Sequence, residues 1–497
     1  MSGIKSLAKQ TALYGLSSIL GRFLNYLLTP LLTSAAIFTS DQYGIITEMY
    51  AYVAFLIVLL TYGMETAFFR FSTQEDADKP KIYTTVVLSV LTTSTVFILI
   101  GYFFNQPIAN WLHYPENKEF VTWFAIIVAL DALSSIPQAR LRLENKALTF
   151  AFVNLANVFI NIGLNLLFLV YCKSDFEGGT PGWLTQQIYN PEIGVGYVFI
   201  ANLIASICKF LLLLPFIRIN LTLFDAGLLK KMLKFAYPLL FVGLAGIVNE
   251  TVDRILLKKL LWSDLGETAT LTQLGIYGAN YKLSIIITLF IQAFRYAAEP
   301  FFFNQAPNKN APDTFAKVMN YFVILTLFMF LAVTQFIHIF KYFTPNSEYW
   351  QGLIVVPVLL MANVFLGIYY NQSIWYKLAN RTKMGAWTSV FGAIITIVLN
   401  LIFIPYFGYI ASAWATLACY FGMVTLSYIL GNKYYPIPYD LKKIAIYMIV
   451  ALALFFFGWK PFPDTFGIMD YALSFGILLV YSIIVYLIEK PTLKFKS

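Results

Sequence analysis

The chain alternates long apolar runs with short polar joints from one end to the other. A helix rises about 1.5 Å per residue, so about twenty apolar residues match the hydrocarbon layer of a bilayer. Runs of that length fall near 10–36, 43–69, 82–105, 119–137, 149–171, 194–216 and 235–258. They continue near 274–303, 318–340, 351–376, 384–405, 408–430, 441–458 and 470–488. This pattern predicts an all-α integral membrane protein with about fourteen transmembrane helices, numbered here as spans one to fourteen, and leaves no stretch for a soluble domain.

Composition agrees with this reading. Of 497 residues, 59% are hydrophobic and 12% charged, where a soluble protein carries about 25% charged residues. No short apolar segment with a small-residue cleavage site follows Met1, so span one is expected to be retained. Three scattered cysteines, Cys172, Cys208 and Cys419, form neither a disulfide framework nor a metal-ligand pattern. The net charge of +9 must be sorted by side before it points to any partner. With the N-terminus in the cytoplasm, the inner loops and tails collect most of the 34 Lys and Arg residues, which is the positive-inside asymmetry. The clusters Arg140/Arg142/Lys146, Lys230/Lys231/Lys234 and Lys377/Arg381/Lys383 therefore read as topology determinants, and no nucleic-acid partner is expected.

Internal symmetry adds architecture. Asp41–Gln74 aligns without gaps on Thr272–Gln305, pairing Gln42/Gln273, Gly44/Gly275, Ile45/Ile276, Tyr50/Tyr281, Ala67/Ala298, Phe71/Phe302 and Gln74/Gln305. Leu143–Val170 aligns on Leu378–Pro405, pairing Asn145/Asn380, Ala151/Ala386, Leu164/Leu399, Asn165/Asn400, Leu166/Leu401 and Phe168/Phe403. Gly196-Tyr197 then matches Gly408-Tyr409, which leaves Cys172–Ile193 as an insertion in the first half. Two six-span lobes are expected, over residues 1–220 and 221–432, with spans thirteen and fourteen and a cytoplasmic tail over 433–497.

Several short pieces occur in order along this frame: Asp41-Gln-Tyr-Gly44, Arg140-Leu-Arg-Leu-Glu-Asn145, Asn161-Ile-Gly-Leu-Asn-Leu166, Asp253-Arg254, Gly275-Ile-Tyr-Gly-Ala-Asn-Tyr281 and Asn400-Leu-Ile-Phe-Ile-Pro405 followed by Gly408. With them the chain resembles the polysaccharide-exporter branch of the multidrug/oligosaccharidyl-lipid/polysaccharide (MOP) flippase superfamily, which includes O-antigen-type oligosaccharide flippases and lipid II flippases. The resemblance implies two pseudo-symmetric six-helix lobes in a V around a central cavity that opens alternately to either side. It implies a polyprenyl-pyrophosphate-linked oligosaccharide as substrate, carried from the cytoplasmic to the outer leaflet for O-antigen or capsule-type polysaccharide. It also implies a bacterial inner membrane, both termini in the cytoplasm, and polysaccharide polymerase machinery as a partner beside the membrane lipids.

Moving two phosphates through a low-dielectric layer requires cations and hydrogen-bonding groups on a wet face. Ser18, Arg22, Asn25, Tyr26, Thr29 and Thr33 recur at helical spacing in span one and predict such a face, with Arg22 suited to pyrophosphate by its planar fork. The alternative for Arg22 is a structural ion pair. Gln292, Arg295, Tyr296 and Glu299 form a second stripe in span eight, where Arg295 and Glu299, four residues apart, are candidates to neutralise each other. Lys282 and Lys209 are further candidate cations. Glu250, Asp253 and Arg254 in span seven read as a structural or gating cluster. Glu65 and Asp131 stand in apolar runs with no adjacent base and are candidates for coupling transport to a proton or sodium gradient, or for pairing with Arg22. Pro30, Pro238 and Pro300 are candidate kinks.

An enzyme acting on the same lipid-linked sugars would need a placed base or nucleophile. The two histidines, His113 and His338, stand in no acid/base constellation, so no catalytic residue and no cofactor is expected. A cation exporter of the same superfamily would favour carboxylates and aromatics in its cavity, whereas span one offers Arg22.

Overall fold

A computed structural model describes Gly15, residues 19–460 and residues 467–493. The described residues are mostly helical and contain no strand. In hydrocarbon no water meets a free backbone N–H or C=O, so a helix, which satisfies both internally, is the natural spanning form. Among the described residues, twelve helices are long and apolar enough to cross a membrane. The difference from the expected fourteen has two local causes. The runs at 235–258 and 274–303 lie within one stretch, Ala226–Gln305, whose helical geometry is interrupted at Gly266 (φ 75°, ψ −179°). Span one is represented by the shorter apolar helix Ile19–Leu32.

The chain divides into two compact units. The first comprises Met1–Leu28 and Ile45–Thr251, the second Thr29–Gly44 and Val252–Ser497. In the first unit, Phe199 of span six is fully buried, with the rings of Tyr50, Phe120 and Phe124 packed edge-on at 4.7–6.3 Å. This aromatic knot ties span six to spans two and four. In the second unit, span nine (Ala311–Gln335) buries Phe322, Leu327 and Phe330 among Ile287, Ile291, Leu360 and Phe455. Spans thirteen (Leu441–Gly458) and fourteen (Ile468–Leu493) dock there as well: Ser474 Oγ donates to the Gln335 carbonyl at 3.0 Å and the Tyr481 hydroxyl to the Ile324 carbonyl at 3.1 Å.

The repeat is visible in backbone geometry. Span four ends at Leu143 and span ten's last helical turn at Leu378, and each is closed by an asparagine in the left-handed region, Asn145 (φ 57°) and Asn380 (φ 54°). Beyond each, a six-to-one hydrogen bond completes the cap, Lys146 N–H to Leu141 C=O and Arg381 N–H to Tyr376 C=O, both 2.8 Å. Asparagine tolerates this conformation because its short amide can bond locally. Asn165 and Asn400, also paired by the repeat, are fully buried and donate to carbonyls four residues back at 2.8 and 2.7 Å.

Two details differ from the sequence reading. The glycine of span six that shares its backbone geometry with Gly408 (φ 55°, ψ −139°) is Gly194 (φ 51°, ψ −121°), two residues before the Gly196 matched by sequence. Span two is broken at Tyr62 (φ 34°) and Gly63 (φ 75°) into Ser40–Thr61 and Met64–Ser72, a break that no proline announces.

Candidate functional site

In the first unit, the helix of span one places buried Gly21 near Val158 and leaves Arg22 and Asn25 exposed, with Tyr26 half-buried. Arg22 forms no ion pair and no hydrogen bond with any described residue. A guanidinium in an apolar helix is costly unless it is solvated or meets an anion. Ser18 lies outside the described residues. Thr29 and Thr33 belong to the second unit and are buried, with the Thr33 hydroxyl donating to the Thr29 carbonyl at 2.8 Å.

The two carboxylates read as lacking an adjacent base have bases from other spans. Glu65 accepts from Arg142 Nη2 at 2.6 Å, and that guanidinium also lies over the rings of Phe69 and Phe150. Asp131 accepts from Lys209 Nζ at 3.1 Å. Ser206 stands at 3.5 Å from the same carboxylate oxygen. Neither carboxylate pairs with Arg22, and Lys209 is not a free cation. The sequence could not supply these partners because each lies more than seventy residues away. Glu250, at the end of this unit, is exposed.

In the second unit Asp253 is buried, accepting the Tyr277 hydroxyl at 2.5 Å and the Arg254 backbone N–H at 2.9 Å. The Arg254 guanidinium stands 3.6 Å from Asp253 and 4.3 Å from the centre of the Tyr281 ring. In span eight, Lys282 and Gln292 are half-buried. Arg295 and Glu299 do not neutralise each other. Glu299 is paired with Lys377, and Arg295 lies 4.1 Å over the Tyr370 ring with no carboxylate partner among the described residues. A guanidinium seated on an aromatic face keeps its edge N–H groups free to donate. Span eight crosses the start of span two at two glycines. A Cβ on Gly275 would collide with the Ser40 carbonyl and one on Gly44 with the Leu271 carbonyl, so the repeat-matched pair is needed for the close approach.

Among the described residues no group of three or more His, Cys, Asp and Glu side chains could hold a metal ion. The chemistry on offer is electrostatic. It rests on two span-depth arginines with no carboxylate among the described residues, Arg22 and Arg295, one in each unit, and on several carboxylates already satisfied.

A family model described as a polysaccharide biosynthesis protein matches residues 35–190. Among solved structures, the chain is similar to a lipid II flippase, MurJ, in an inward closed conformation, at TM-score 0.70 and 16% identity over 95% of this chain and 98% of that one. It is similar at TM-score 0.61 and 16% identity to the MATE multidrug transporter DinF-BH, over 86% of this chain and 95% of that one. An inward-facing multidrug resistance MATE family transporter of the MOP superfamily matches at TM-score 0.58 and 14% identity, over 85% and 94%. No curated protein sequence matches. The chain shares the fold of these lipid II flippase and MATE transporter structures.

Within this fold, one buried carboxylate was missed from the sequence. Glu48 of span two is buried and accepts the Tyr114 hydroxyl at 2.5 Å. A glutamate six residues into an apolar run was a signal, but the tyrosine that satisfies it lies beyond span three. The tyrosine beneath Arg295 was also illegible, since Tyr370 is one of 33 tyrosines.

Proposed function

We propose that this membrane transporter flips a polyprenyl-pyrophosphate-linked oligosaccharide between leaflets by alternating access, in the service of cell-surface polysaccharide synthesis. The observation that carries the reading is Arg22, a span-depth guanidinium on an open face with Asn25 beside it and no counter-ion among the described residues. A pyrophosphate supplies that counter-ion and matches the guanidinium fork. The second such arginine, Arg295, is a further candidate contact, with Lys282 and Gln292 on the same span. The description of the family model and the similarity to a lipid II flippase over nearly the whole chain support a lipid-linked sugar over an organic cation.

The test is transport by the purified full chain in vesicles, offered matched lipid-linked oligosaccharide and organic-cation substrates. Translocation of the pyrophosphate lipid alone supports the reading. Export of the cation alone overturns it.

Both termini are placed on the cytoplasmic side of a bacterial inner membrane, with fourteen crossings and lobes at 1–220 and 221–432. A topology reporter at Glu177 read as cytoplasmic would contradict this. Coupling to a proton or sodium gradient is assigned to Asp131, whose ion pair with Lys209 is the more enclosed of the two carboxylate pairs in the first unit. Asp131→Asn is expected to transport without dependence on the gradient; retained dependence removes Asp131 from the coupling path.

A further inference from the structure

The connection between spans five and six is a small folded body with one uncovered face. The chain leaves span five through a helical turn, Lys173–Glu177, reverses, and forms a short helix, Trp183–Ile188, before a 3-10 turn, Pro191–Ile193, leads into span six. Asp175 accepts the Gly182 N–H at 2.8 Å. The Gln186 amide donates to the Pro181 carbonyl at 2.7 Å. The Tyr197 hydroxyl, at the start of span six, accepts the Asn190 N–H at 2.6 Å and donates to the Ile188 carbonyl at 3.2 Å. A ladder of rings continues from Phe168 through Tyr197 and Tyr189 to Phe176, with centroids 4.7, 5.1 and 5.7 Å apart. The segment is therefore held in shape from within.

That shape buries Thr185 completely but leaves Trp183 76% exposed, with Leu184 and Ile188 exposed beside it. At about 100° per residue these three side chains fall within about 140° of the helix, an arc that also holds the exposed Gln187, while Gln186 lies about 160° from both Leu184 and Ile188. Three observations identify what covers this face. Leu166, Val170 and Tyr171 near the end of span five and Phe176 in the turn that follows are exposed apolar side chains as well, on a helix whose composition suits a bilayer. Residues 173–193 carry one lysine against Asp175, Glu177 and Glu192, so attraction to anionic headgroups does not hold it there. A tryptophan, apolar in body with one N–H, suits the layer between acyl chains and water. The repeat-related connection between spans eleven and twelve is the single residue Gly408 and has no such body.

We propose that residues 173–193 form an interfacial foot, with Trp183, Leu184 and Ile188 seated in the phospholipid surface of the bordering leaflet and Gln186 facing water. The foot would fix the level at which spans five and six sit in the bilayer, a constraint that the second repeat lacks.

The test uses the full chain, one copy per phosphatidylcholine nanodisc, with Cys208→Ser so that only the buried Cys172 and Cys419 remain. A polarity-sensitive fluorophore is attached at Leu184→Cys or Gln186→Cys, with Ile188→Cys as a second apolar position should Leu184→Cys fail to fold. Brominated lipid is expected to quench the label at 184 or 188 about threefold more than that at 186, and aqueous iodide the reverse. Adding phosphatidylglycerol should change lipid quenching by less than about 1.5-fold. Equal iodide quenching at all positions overturns the proposal, as does a requirement for anionic lipid. Shielding at 184 that appears only when two copies share a disc would mean that a second copy of the chain covers this face, and would overturn it too.

Discussion

Span two and span eight match at seven positions and cross at matched glycines, yet span two is broken at Tyr62–Gly63 while span eight continues helically through the aligned Ala293 and Phe294. A bulky residue at positive φ costs on the order of 1–2 kcal/mol. Tyr62 is held there by a 2.7 Å hydrogen bond between its hydroxyl and Ser89, and Gly63 lies against Ala236 and Leu239. Just beyond the break, Glu65 meets Arg142; in span eight, Glu299 meets Lys377. The two bases are repeat-matched and the two carboxylates are not, since Glu65 aligns with Tyr296 and Glu299 with Phe68. The repeat thus retains an ion pair joining the same helix ends, while the carboxylate has moved three residues along its span. Arg142 and Lys377 are thus satisfied by carboxylates, whereas Arg22 and Arg295 have none among the described residues.

That contrast makes the largest prediction. Arg22→Ala should lower translocation of the lipid-linked oligosaccharide about 100-fold at unchanged membrane abundance, and Arg22→Lys should keep part of it, because charge survives without the bidentate fork. Arg142→Ala, which strips Glu65 of its base, should instead lower abundance. Full transport by Arg22→Ala at normal abundance would remove the distinction between paired and unpaired cations.

Next in size is the crossing of the two spans. Gly44→Ala and Gly275→Ala each drive a methyl group into a backbone carbonyl that cannot rotate away, and each should cost about 2–3 kcal/mol in thermal unfolding of the purified protein. A large loss at one glycine and none at the other would show that the crossing is not symmetric.

Smaller effects are expected at the repeated helix caps. Asn145→Ala and Asn380→Ala should each destabilise by about 1 kcal/mol, and glycine at either position should spare the protein, because alanine keeps a Cβ that opposes the left-handed backbone without asparagine's local amide bonding, whereas glycine has no Cβ. Unequal losses would limit the repeat to sequence.

The smallest effect belongs to an exposed pair found in the first unit. Asp225 accepts from Lys81 at 2.6 Å and from the Leu228 N–H at 2.9 Å, and these bonds hold its carboxyl below the usual aspartate range. A depressed folded pKa contributes stability that is present above the unfolded value of about 3.9 and is lost as pH falls through the folded one. The difference in melting temperature between wild type and Asp225→Asn should therefore be small near neutrality and vanish as the medium is acidified below about pH 4. A difference that grew on acidification would reverse the sign of the linkage.

The sequence by itself determined the membrane class, most span positions and the internal repeat, because the bilayer imposes a length and an apolar composition on every crossing helix and these are local properties. The αL caps at Asn145 and Asn380 and the buried Asn165 and Asn400 occupy the paired positions that the alignment named. Tertiary structure decided which ionisable groups were already satisfied. Arg142 for Glu65, Lys209 for Asp131, Lys377 for Glu299 and Tyr114 for Glu48 come from spans or joints far along the chain. Helical spacing reports only neighbours three or four residues away, which is why it offered Arg295 and Glu299 to each other. Tertiary packing also decided the break in span two: Tyr62 carries no conformational preference for a left-handed turn, and the contacts of its hydroxyl with Ser89 and of Gly63 with Ala236 and Leu239 hold the turn in place once the helices have packed.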